Sequence, residues 1–521
     1  MQNNTNPFLA SLNNAAANTS VSVTENGALG YARTQHALTD FFYKVGSMRS
    51  WSDEQIVNAF MPVYAEDKLH AMELMFFIRD CRGGQGEKRV FNVLFNWVAK
   101  TNPDFACALL KLVPEYGSWK SFFDLMNLFL STSDSVFKKV LKTAQDIFMS
   151  QWDTDIDAME AGRPISLMGK WAPSINTSSK KTKDFAHKLK TLLGISDKDY
   201  RKTLASLRSY SNVLEVKMSA KEWNEIDYNS VPSRAGVIYR NCFLKNDEER
   251  RRKWLADLAA GNSNAKINVE TLDMTTLVSK YTDGYRLGYE DATLEAAWKA
   301  LVDKGKMDEN APNFIPVIDG SGSMYWQQAG VTVRPAYVAL GLGLYFANVN
   351  KEPWRGNIIE FGSNPCFYEV SPDASLHDQL QVAIEHNDCG STNLEAVFDL
   401  VLKAAVDKNL KQEEIPGIII FSDGEFNSMI GKCSEKLMNG IANKWAHYGY
   451  KLVPLVFWNI ASRTNTFPLT ENEFGLKLLS GYSQQIVKMV LSEKLDPYDS
   501  IIEQLNNSRY DLVRQALKIC N

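Results

Sequence analysis

Several features that define common classes of protein are missing from this sequence of 521 residues. Its seven cysteines show no C-x-x-C spacing, and such an odd, unpatterned set argues against a disulfide framework and against a zinc cluster. No apolar stretch approaches the ~18 residues that span a bilayer, and the N-terminus lacks the basic and apolar regions of a secretory signal. We therefore expect a reducing, cytoplasmic setting and no membrane partner.

The chain also lacks a large excess of either charge, which excludes a strongly basic protein that coats nucleic acid. The formal net charge of −4 nevertheless hides an asymmetry. Residues 1–308 carry 40 Lys and Arg against 37 Asp and Glu, whereas residues 309–521 carry 17 against 24. A slightly basic front and an acidic back indicate two parts with different partners.

The front part is predicted to be helical. Residues 1–35 are polar and are expected to form a flexible arm. From residue 36 to residue 308, apolar residues recur at three- and four-residue spacing, with breaks at short turns, which predicts antiparallel helices stacked as HEAT-like repeats. This region is the predicted all-α helical-repeat domain.

The back part changes character at about residue 309. Apolar, strand-like runs such as "FIPVID" and "GIIIFSD" alternate with helical patterns up to residue 495. This alternation predicts an α/β, Rossmann-like domain with a mainly parallel sheet. Residues 496–521 are predicted to form a C-terminal helix that packs on the body, so the fold class is multidomain, all-α followed by α/β.

The stretch "VIDGSGSM" places Asp319, Ser321 and Ser323 at the end of a predicted strand. A serine nucleophile would need G-x-S-x-G, and a phosphate-binding loop would need a lysine that is not present. An aspartyl-phosphate enzyme would usually carry a second carboxylate two residues on, where this chain has Ser321. A glycine-rich turn remains the simplest alternative.

Two further loops favour a metal site over a turn. Thr392 lies before a predicted helix, and Asp423 ends another predicted strand. The carboxyl ends of parallel strands meet at one edge of the sheet, where ligands bind. Hydroxyl and carboxylate oxygens are the hard ligands that Mg²⁺ prefers. The predicted ligands are Asp319, Ser321, Ser323, Thr392 and Asp423, and the predicted cofactor is Mg²⁺ or Mn²⁺.

This constellation resembles the metal-ion-dependent adhesion site of von Willebrand A-type domains. The D-x-S-x-S motif, the second-loop threonine and the third-loop aspartate all match in order, and the resemblance covers about residues 310–490. It implies that residues 309–495 fold as such a domain. Glu425 is expected to be a solvated loop or helix-cap acid or, alternatively, to influence the metal site through contacts with its ligands rather than with the metal.

The run from Arg163 to Arg208 is the most basic part of the chain, with 11 Lys and Arg against three acids. Trp171 and Tyr200 are interleaved with these cations, a composition that suits an RNA-binding surface. A solvated helical face with both aromatics in the core explains it equally well. The candidate RNA-binding residues are Arg163, Lys170, Lys180, Lys181, Lys183, Lys188, Lys190, Arg201, Lys202 and Arg208.

Segments such as "DCRGGQGEKR", "LMGKWAPS" and "YRKTLASLR" resemble a family of intracellular proteins from phages, bacteria and eukaryotes. Its members pair a helical front with a von Willebrand A-type back. They are distantly similar to the Ro autoantigen (TROVE) proteins, which have the same domain order. In those, helical repeats bind small noncoding and misfolded RNA, so the resemblance implies RNA as a partner.

The sequence therefore predicts a non-enzymatic, metal-binding and RNA-binding protein of Ro-like architecture. No general base or nucleophile stands near the predicted metal ligands, so an enzyme is not expected. The alternative is a protein-interaction scaffold, in which the metal captures an acidic residue of a partner protein.

Overall fold

The structure, a computed structural model, describes residues 21–34, 36–132, 134–283, 286–327, 331, 333–387, 389–428, 436–464, 466–467, 476–490, 494 and 496–518. Two units can be distinguished along the chain. The first contains residues 1–71, 83–85 and 269–506, and the second contains residues 72–82, 86–268 and 507–521. The predicted domain boundaries at residues 308 and 495 stay predictions.

Helices form most of the regular structure. Their bounds are α1 (Ala37–Lys44), α2 (Asp53–Glu66), α3 (Lys68–Arg79), α4 (Lys88–Thr101), α5 (Pro103–Leu110), α6 (Val113–Tyr116), α7 (Trp119–Ser131), α8 (Lys138–Glu160), α9 (Met168–Trp171), α10 (Lys180–Leu193), α11 (Asp197–Tyr210), α12 (Leu214–Ala220), α13 (Ser233–Ile238), α14 (Arg240–Asn246), α15 (Glu248–Ala259), α16 (Met274–Tyr281), α17 (Ala292–Gly305), α18 (Pro335–Val349), α19 (Leu376–His386), α20 (Leu394–Lys408), α21 (Leu437–His447), α22 (Val487–Val490), α23 (Pro497–Leu505) and α24 (Asp511–Lys518).

The strands are short and belong to the first unit. Their bounds are β1 (Val21–Val23), β2 (Leu29–Tyr31), β3 (Thr282–Asp283), β4 (Arg286–Leu287), β5 (Phe314–Asp319), β6 (Asn357–Phe361), β7 (Cys366–Glu369), β8 (Gly417–Ser422), β9 (Leu455–Asn459) and β10 (Leu476–Ser480).

The main sheet of the first unit has six strands among the described residues, in the order β10–β9–β8–β5–β6–β7. Neighbouring strands are parallel, except that β7 runs antiparallel to β6. β5 and β8 are buried at every position, as continuous apolar runs covered on both faces should be. The prediction of a mainly parallel α/β sheet in the back half is confirmed.

Helix α18 covers one face of this sheet and is buried along its whole length. It packs on β5 and β8 on one side and on α16 on the other, so it has no solvent-facing stripe. Its glycines permit the close approach: a Cβ on Gly343 would lie 2.5 Å from the side chain of Ile318 on β5.

The described residues of the second unit are mostly helical and include no strand, which confirms the prediction of a mostly helical front half. Aromatic side chains fill its core. Phe76 on α3 packs edge-on against Phe91 on α4, with ring centroids 5.4 Å apart. Trp152 on α8 stacks on Tyr200 of α11, also at 5.4 Å. The finer prediction of HEAT-like repeats stays a prediction.

The described part of the N-terminal segment, residues 21–34, differs from the predicted flexible arm because it contains a β-hairpin. Residues 1–20 lie outside the described residues, but β1 and β2 form an antiparallel hairpin with Val21 opposite Tyr31. Gly27 adopts a φ of 90° in the turn between them. Tyr31 exchanges backbone hydrogen bonds of 2.9 and 2.8 Å with Phe467. The "ENG" turn signal was present in the sequence, and the polar composition concealed it.

The C-terminal region also differs from the prediction. The strand β10 is not among the strand-like runs that the sequence predicts. The single predicted C-terminal helix is two helices, α23 and α24, separated by a short turn. Ile501 and Leu505 are buried as an apolar helix face predicts, whereas Leu512 is exposed.

Candidate metal centre

The predicted ligands Asp319 and Asp423 lie at the carboxyl edge of the main sheet. Asp319 is the last residue of β5, and Asp423 directly follows β8, the parallel strand beside it. The hydroxyl of Ser422 donates a 2.5 Å hydrogen bond to Asp319 Oδ2, so the two strand ends are joined directly. Parallel neighbours must end at the same edge, and the fold therefore brings the two carboxylates together.

The two serines of the D-x-S-x-S motif complete a line of oxygens between these carboxylates. The backbone N–H of Ser321 donates to Asp319 Oδ1 at 2.9 Å. The hydroxyls of Ser321 and Ser323 lie 3.2 Å apart, and the Ser323 hydroxyl donates to Asp423 Oδ2 at 2.8 Å. Four predicted ligands thus form one connected group.

Thr392 lies on the loop before α20 and is buried. Its loop is tied to the other two by backbone hydrogen bonds: Gly322 N–H donates to Gly390 O at 3.3 Å, and Asn427 N–H donates to Thr392 O at 2.9 Å. The Thr392 hydroxyl accepts a 3.4 Å hydrogen bond from the side-chain amide of Asn26. The three predicted loops therefore meet at one place.

The two carboxylates are held away from water, with Asp319 1% exposed and Asp423 fully buried. Burial raises the pKa of Asp319 well above its usual range, and the charge of Asp423 raises it further. Burial also raises the pKa of Asp423, although the guanidinium of Arg463 opposes this shift. Two buried carboxylates repel each other, so the pair is stabilised when a proton or a cation binds to it.

Glu425 is fully buried, so the expectation of a solvated acid is wrong. Its Oε1 accepts backbone N–H bonds from Arg463 at 2.7 Å and Thr464 at 2.8 Å. Its Oε2 accepts from the backbone N–H of Glu25 at 2.8 Å and from the Thr464 hydroxyl at 3.2 Å. One carboxylate thereby fastens the β1–β2 hairpin and the loop after β9 to the loop that carries Asp423.

Arg463 brings a cation to the centre. Its Nη1 lies 3.0 Å from Asp423 Oδ2, and its Nη2 lies 2.5 Å from Glu25 Oε2. Glu25 belongs to the hairpin turn, where Asn26 also donates to the backbone oxygen of Glu425 at 2.7 Å. Residues 25 and 26 are therefore part of this site although they lie near the other end of the chain.

The donor set fits a hard divalent cation. Two carboxylates and the hydroxyls of two serines and a threonine are oxygen ligands of the kind Mg²⁺ and Mn²⁺ take. Among the described residues, no group of three or more His, Cys, Asp or Glu side chains could hold a metal ion, so any cation here depends on the hydroxyls. The mutual repulsion of Asp319 and Asp423 is what a bound cation would relieve.

The candidate RNA-binding residues fall into two groups in the second unit. The exposed ones are Arg163, Lys180, Lys181, Lys183, Lys188, Arg201 and Lys202. The half-buried ones are Lys170, Lys190 and Arg208. Lys190 pairs with Asp197 at 3.2 Å, and Lys170 lies 3.5 Å from Glu215.

Arg208 and Tyr200 hold the fold together rather than face solvent. The Arg208 guanidinium donates to Gly169 O at 3.0 Å, Ala172 O at 2.7 Å and Ser174 Oγ at 2.9 Å. Tyr200 is buried, and its hydroxyl donates to Pro173 O at 2.9 Å. Trp171, by contrast, is 39% exposed, so it is the aromatic of this run that remains accessible for stacking.

Sequence reasoning did not find Glu25, Asn26 or Arg463. No local motif marks them, since each acts through contacts with residues more than 35 positions away. The "ENG" turn suggests a hairpin, but nothing near it indicates which part of the fold the hairpin covers.

The architecture is thus a mostly helical unit together with an α/β unit that carries the predicted oxygen ligands at the carboxyl edge of its sheet. Two family models match the chain. A domain of unknown function, DUF7788, matches residues 313–515, and a second, DUF2828, matches residues 24–145 and 179–310. The first match contains all five predicted ligands, and the second contains Glu25 and Asn26.

A relative is found in a giant virus. The chain is 29% identical over 514 residues to "Uncharacterized protein L728" of Acanthamoeba polyphaga mimivirus, covering 93% of this chain and 87% of the viral protein. Among solved structures, the crystal structure of the Deinococcus radiodurans Ro (RSR) protein aligns with 82% of this chain and 91% of its own, at 12% identity and a TM-score of 0.25. No helix of the described residues is long and apolar enough to cross a membrane.

Proposed function

We propose that this protein is a non-enzymatic binding protein with a divalent cation in a von Willebrand A-type domain. The observation that carries the proposal is the convergence of three loops that bring together two buried carboxylates and the hydroxyls beside them. Asp319, Ser321, Ser323, Thr392 and Asp423 would hold Mg²⁺ or Mn²⁺. The bound cation would supply a Lewis-acidic position that accepts an oxygen of the ligand.

RNA is the proposed ligand of the helical unit, which we take to be a HEAT-like, TROVE-like repeat. Support comes from the exposed cationic side chains at the start of α10 and on α11, with Trp171 accessible nearby. Clustered ammonium and guanidinium groups attract phosphates, and an accessible aromatic ring can stack on an unpaired base. The sequence resemblance to the Ro family points to the same class of ligand.

A protein partner with an acidic residue is the second candidate ligand, and it would bind at the metal centre. The observation that favours it is Trp326, three residues after Ser323 and 65% exposed. Its ring centroid lies 5.9 Å from Arg463 Cζ, so an aromatic side chain and a guanidinium flank the centre. Exposed tryptophan and arginine are the residues that most often anchor protein interfaces.

Calorimetric titration of the chelator-treated protein with Mg²⁺ or Mn²⁺ tests the metal centre. We expect saturable binding by the wild type and its loss in Asp319→Ala. Asp373→Ala removes an exposed carboxylate of the same unit and should leave binding unchanged. An absence of saturable binding in the wild type would refute the proposed metal centre.

Filter binding with single-stranded and structured RNA over a range of salt concentrations tests the second part. Replacing both Lys181 and Lys183 with Glu should weaken binding and reduce the slope of log affinity against log salt by about 0.7 for each lost phosphate contact. The matched control pair is Lys253→Glu with Lys266→Glu, two exposed lysines elsewhere in the same unit. Equal effects of the two pairs would contradict this RNA surface.

Asp319→Ala separates RNA binding by the helical unit from protein capture by the metal. RNA binding through the helical unit should survive this substitution, whereas metal-mediated capture of a partner carboxylate should be lost together with its Mg²⁺ dependence. Loss of RNA binding in Asp319→Ala would place the RNA at the metal centre instead.

A further inference from the structure

The guanidinium of Arg463 bridges two carboxylates of different character. Asp423 has no solvent exposure, whereas the side chain of Glu25 is 49% exposed. Nη1 contacts Asp423 Oδ2 at 3.0 Å, and Nε and Nη2 contact Glu25 Oε2 at 2.6 and 2.5 Å. The arginine thus holds a predicted metal ligand with one end and a surface carboxylate with the other.

The backbone of Arg463 is anchored independently of its side chain. Its N–H and that of Thr464 both donate to Glu425, which is buried in the loop after β8. The Arg463 side chain is itself 25% exposed. The guanidinium can therefore change partners while the main chain stays in place.

We propose that Arg463 sets the affinity of the centre for its cation by competing with that cation for Asp423. The inference rests on the proposed metal centre. Oδ2 of Asp423 already accepts from Arg463 and from the hydroxyl of Ser323, which is itself a predicted ligand. A second positive charge beside that oxygen repels an incoming divalent ion, and the repulsion is strong where water is excluded.

Glu25 has the opposite role in this arrangement. It offers the guanidinium a partner away from Asp423 and offsets its positive charge. An exposed ion pair is weak by itself, so the contact with Glu25 does not draw the guanidinium away from Asp423, and both carboxylates keep it as a partner. With Glu25 present, the cation can displace Arg463 from Asp423 without leaving the guanidinium unpaired.

The test compares cation affinity among single variants of the full chain by calorimetric titration with Mg²⁺ and with Mn²⁺. Arg463→Gln removes the competing charge but keeps a side-chain N–H donor, and it should tighten binding on the order of tenfold or more. Arg463→Lys keeps the charge and should stay near the wild-type affinity. Glu25→Gln should weaken binding. Arg355→Gln makes the same charge change before β6, at the amino edge of the sheet, and serves as the control.

Thermal unfolding supplies a second readout that does not depend on a ligand. In chelator, Arg463→Gln should melt below the wild type, because Asp423 loses its positive partner. Added Mg²⁺ should then raise its melting temperature by more than it raises that of the wild type, since a tighter ligand stabilises the folded state more.

The effect of Arg463→Gln on cation affinity distinguishes competition with the cation from a supporting role of Arg463. If Arg463 merely held Asp423 in place for the metal, Arg463→Gln would weaken cation binding, and this result would overturn the inference while leaving the metal centre intact. Equal affinities of the wild type and Arg463→Gln would overturn it as well. If neither protein binds a divalent cation, the metal centre fails and the inference fails with it.

Discussion

Glu425→Gln is the most direct test of how the site is assembled. This change keeps the size of the side chain but replaces one carboxylate oxygen with an NH₂ group. The native carboxylate accepts from four donors, of which three are backbone N–H groups, at 2.7 to 3.2 Å. The glutamine oxygen can serve the amides of Arg463 and Thr464, but the NH₂ group must then face the N–H of Glu25.

The expected loss of stability follows from these bonds. One buried donor left without an acceptor costs about 1–3 kcal/mol. The bonds that remain lose the strengthening that a charged acceptor provides. Removal of one negative charge near Asp423 offsets part of the loss, because the charge of Glu425 raises the pKa of Asp423. The net destabilisation should be about 2 kcal/mol, or roughly a 30-fold shift in the equilibrium.

Hydrogen exchange of backbone amides measures this locally. The amides of Glu25, Arg463 and Thr464 should exchange roughly 30-fold faster in the variant, because a loss of about 2 kcal/mol in the free energy of opening raises the open population by that factor. Glu414→Gln is the matched control, since Glu414 accepts a single backbone N–H bond, from Lys411, on the exposed surface. Exchange at the Glu25 amide no faster than in Glu414→Gln would refute the role assigned to Glu425.

Three further outcomes are expected. In chelator, Asp319→Asn should be more stable than the wild type, and the difference in the free energy of unfolding should grow as the pH rises from about 4 towards neutrality. The reason is that burial raises the pKa of Asp319 in the folded state, so that folding becomes less favourable once the unfolded chain has lost its proton. Denaturant titrations at several pH values measure this difference, and a constant difference would contradict the prediction. Gly343→Ala should lower the free energy of unfolding by about 1–3 kcal/mol through overpacking, whereas Gly236→Ala, whose Cβ would meet nothing closer than 3.7 Å, should not. Arg208→Gln should destabilise the helical unit by about 2 kcal/mol because its hydrogen bonds are lost. It should have little effect on the slope of log RNA affinity against log salt, and a reduced slope would show that Arg208 contacts RNA phosphates.

The strands and helices of the back half could be read from local patterns. β5 and β8 are continuous apolar runs because both of their faces are covered, and such runs are visible in sequence. β10 is equally buried but is short and contains Lys477 and Ser480, so the sequence does not predict it as a strand. Short apolar runs do not distinguish a strand from a buried helix by periodicity alone.

The basic run shows where composition stops being informative. Eleven cations between residues 163 and 208 predict a charged surface, and most of the candidate residues are exposed. Composition could not show that Arg208 donates hydrogen bonds to backbone carbonyls or that Tyr200 stacks on Trp152 in the core. Side chains of one type differ in role because burial is decided by packing partners distant in sequence.

The sequence by itself determined the class of the two parts and the chemistry of the five predicted ligands, since apolar periodicity and the D-x-S-x-S motif are local properties. Only the tertiary structure decided what surrounds those ligands. Glu25 and Arg463 are 438 positions apart, yet the fold pairs them, and the same guanidinium also contacts Asp423. The charge balance of the centre, and with it the proposed affinity for a cation, depends on that long-range contact, because the interaction between charges is set by distance and burial rather than by order along the chain.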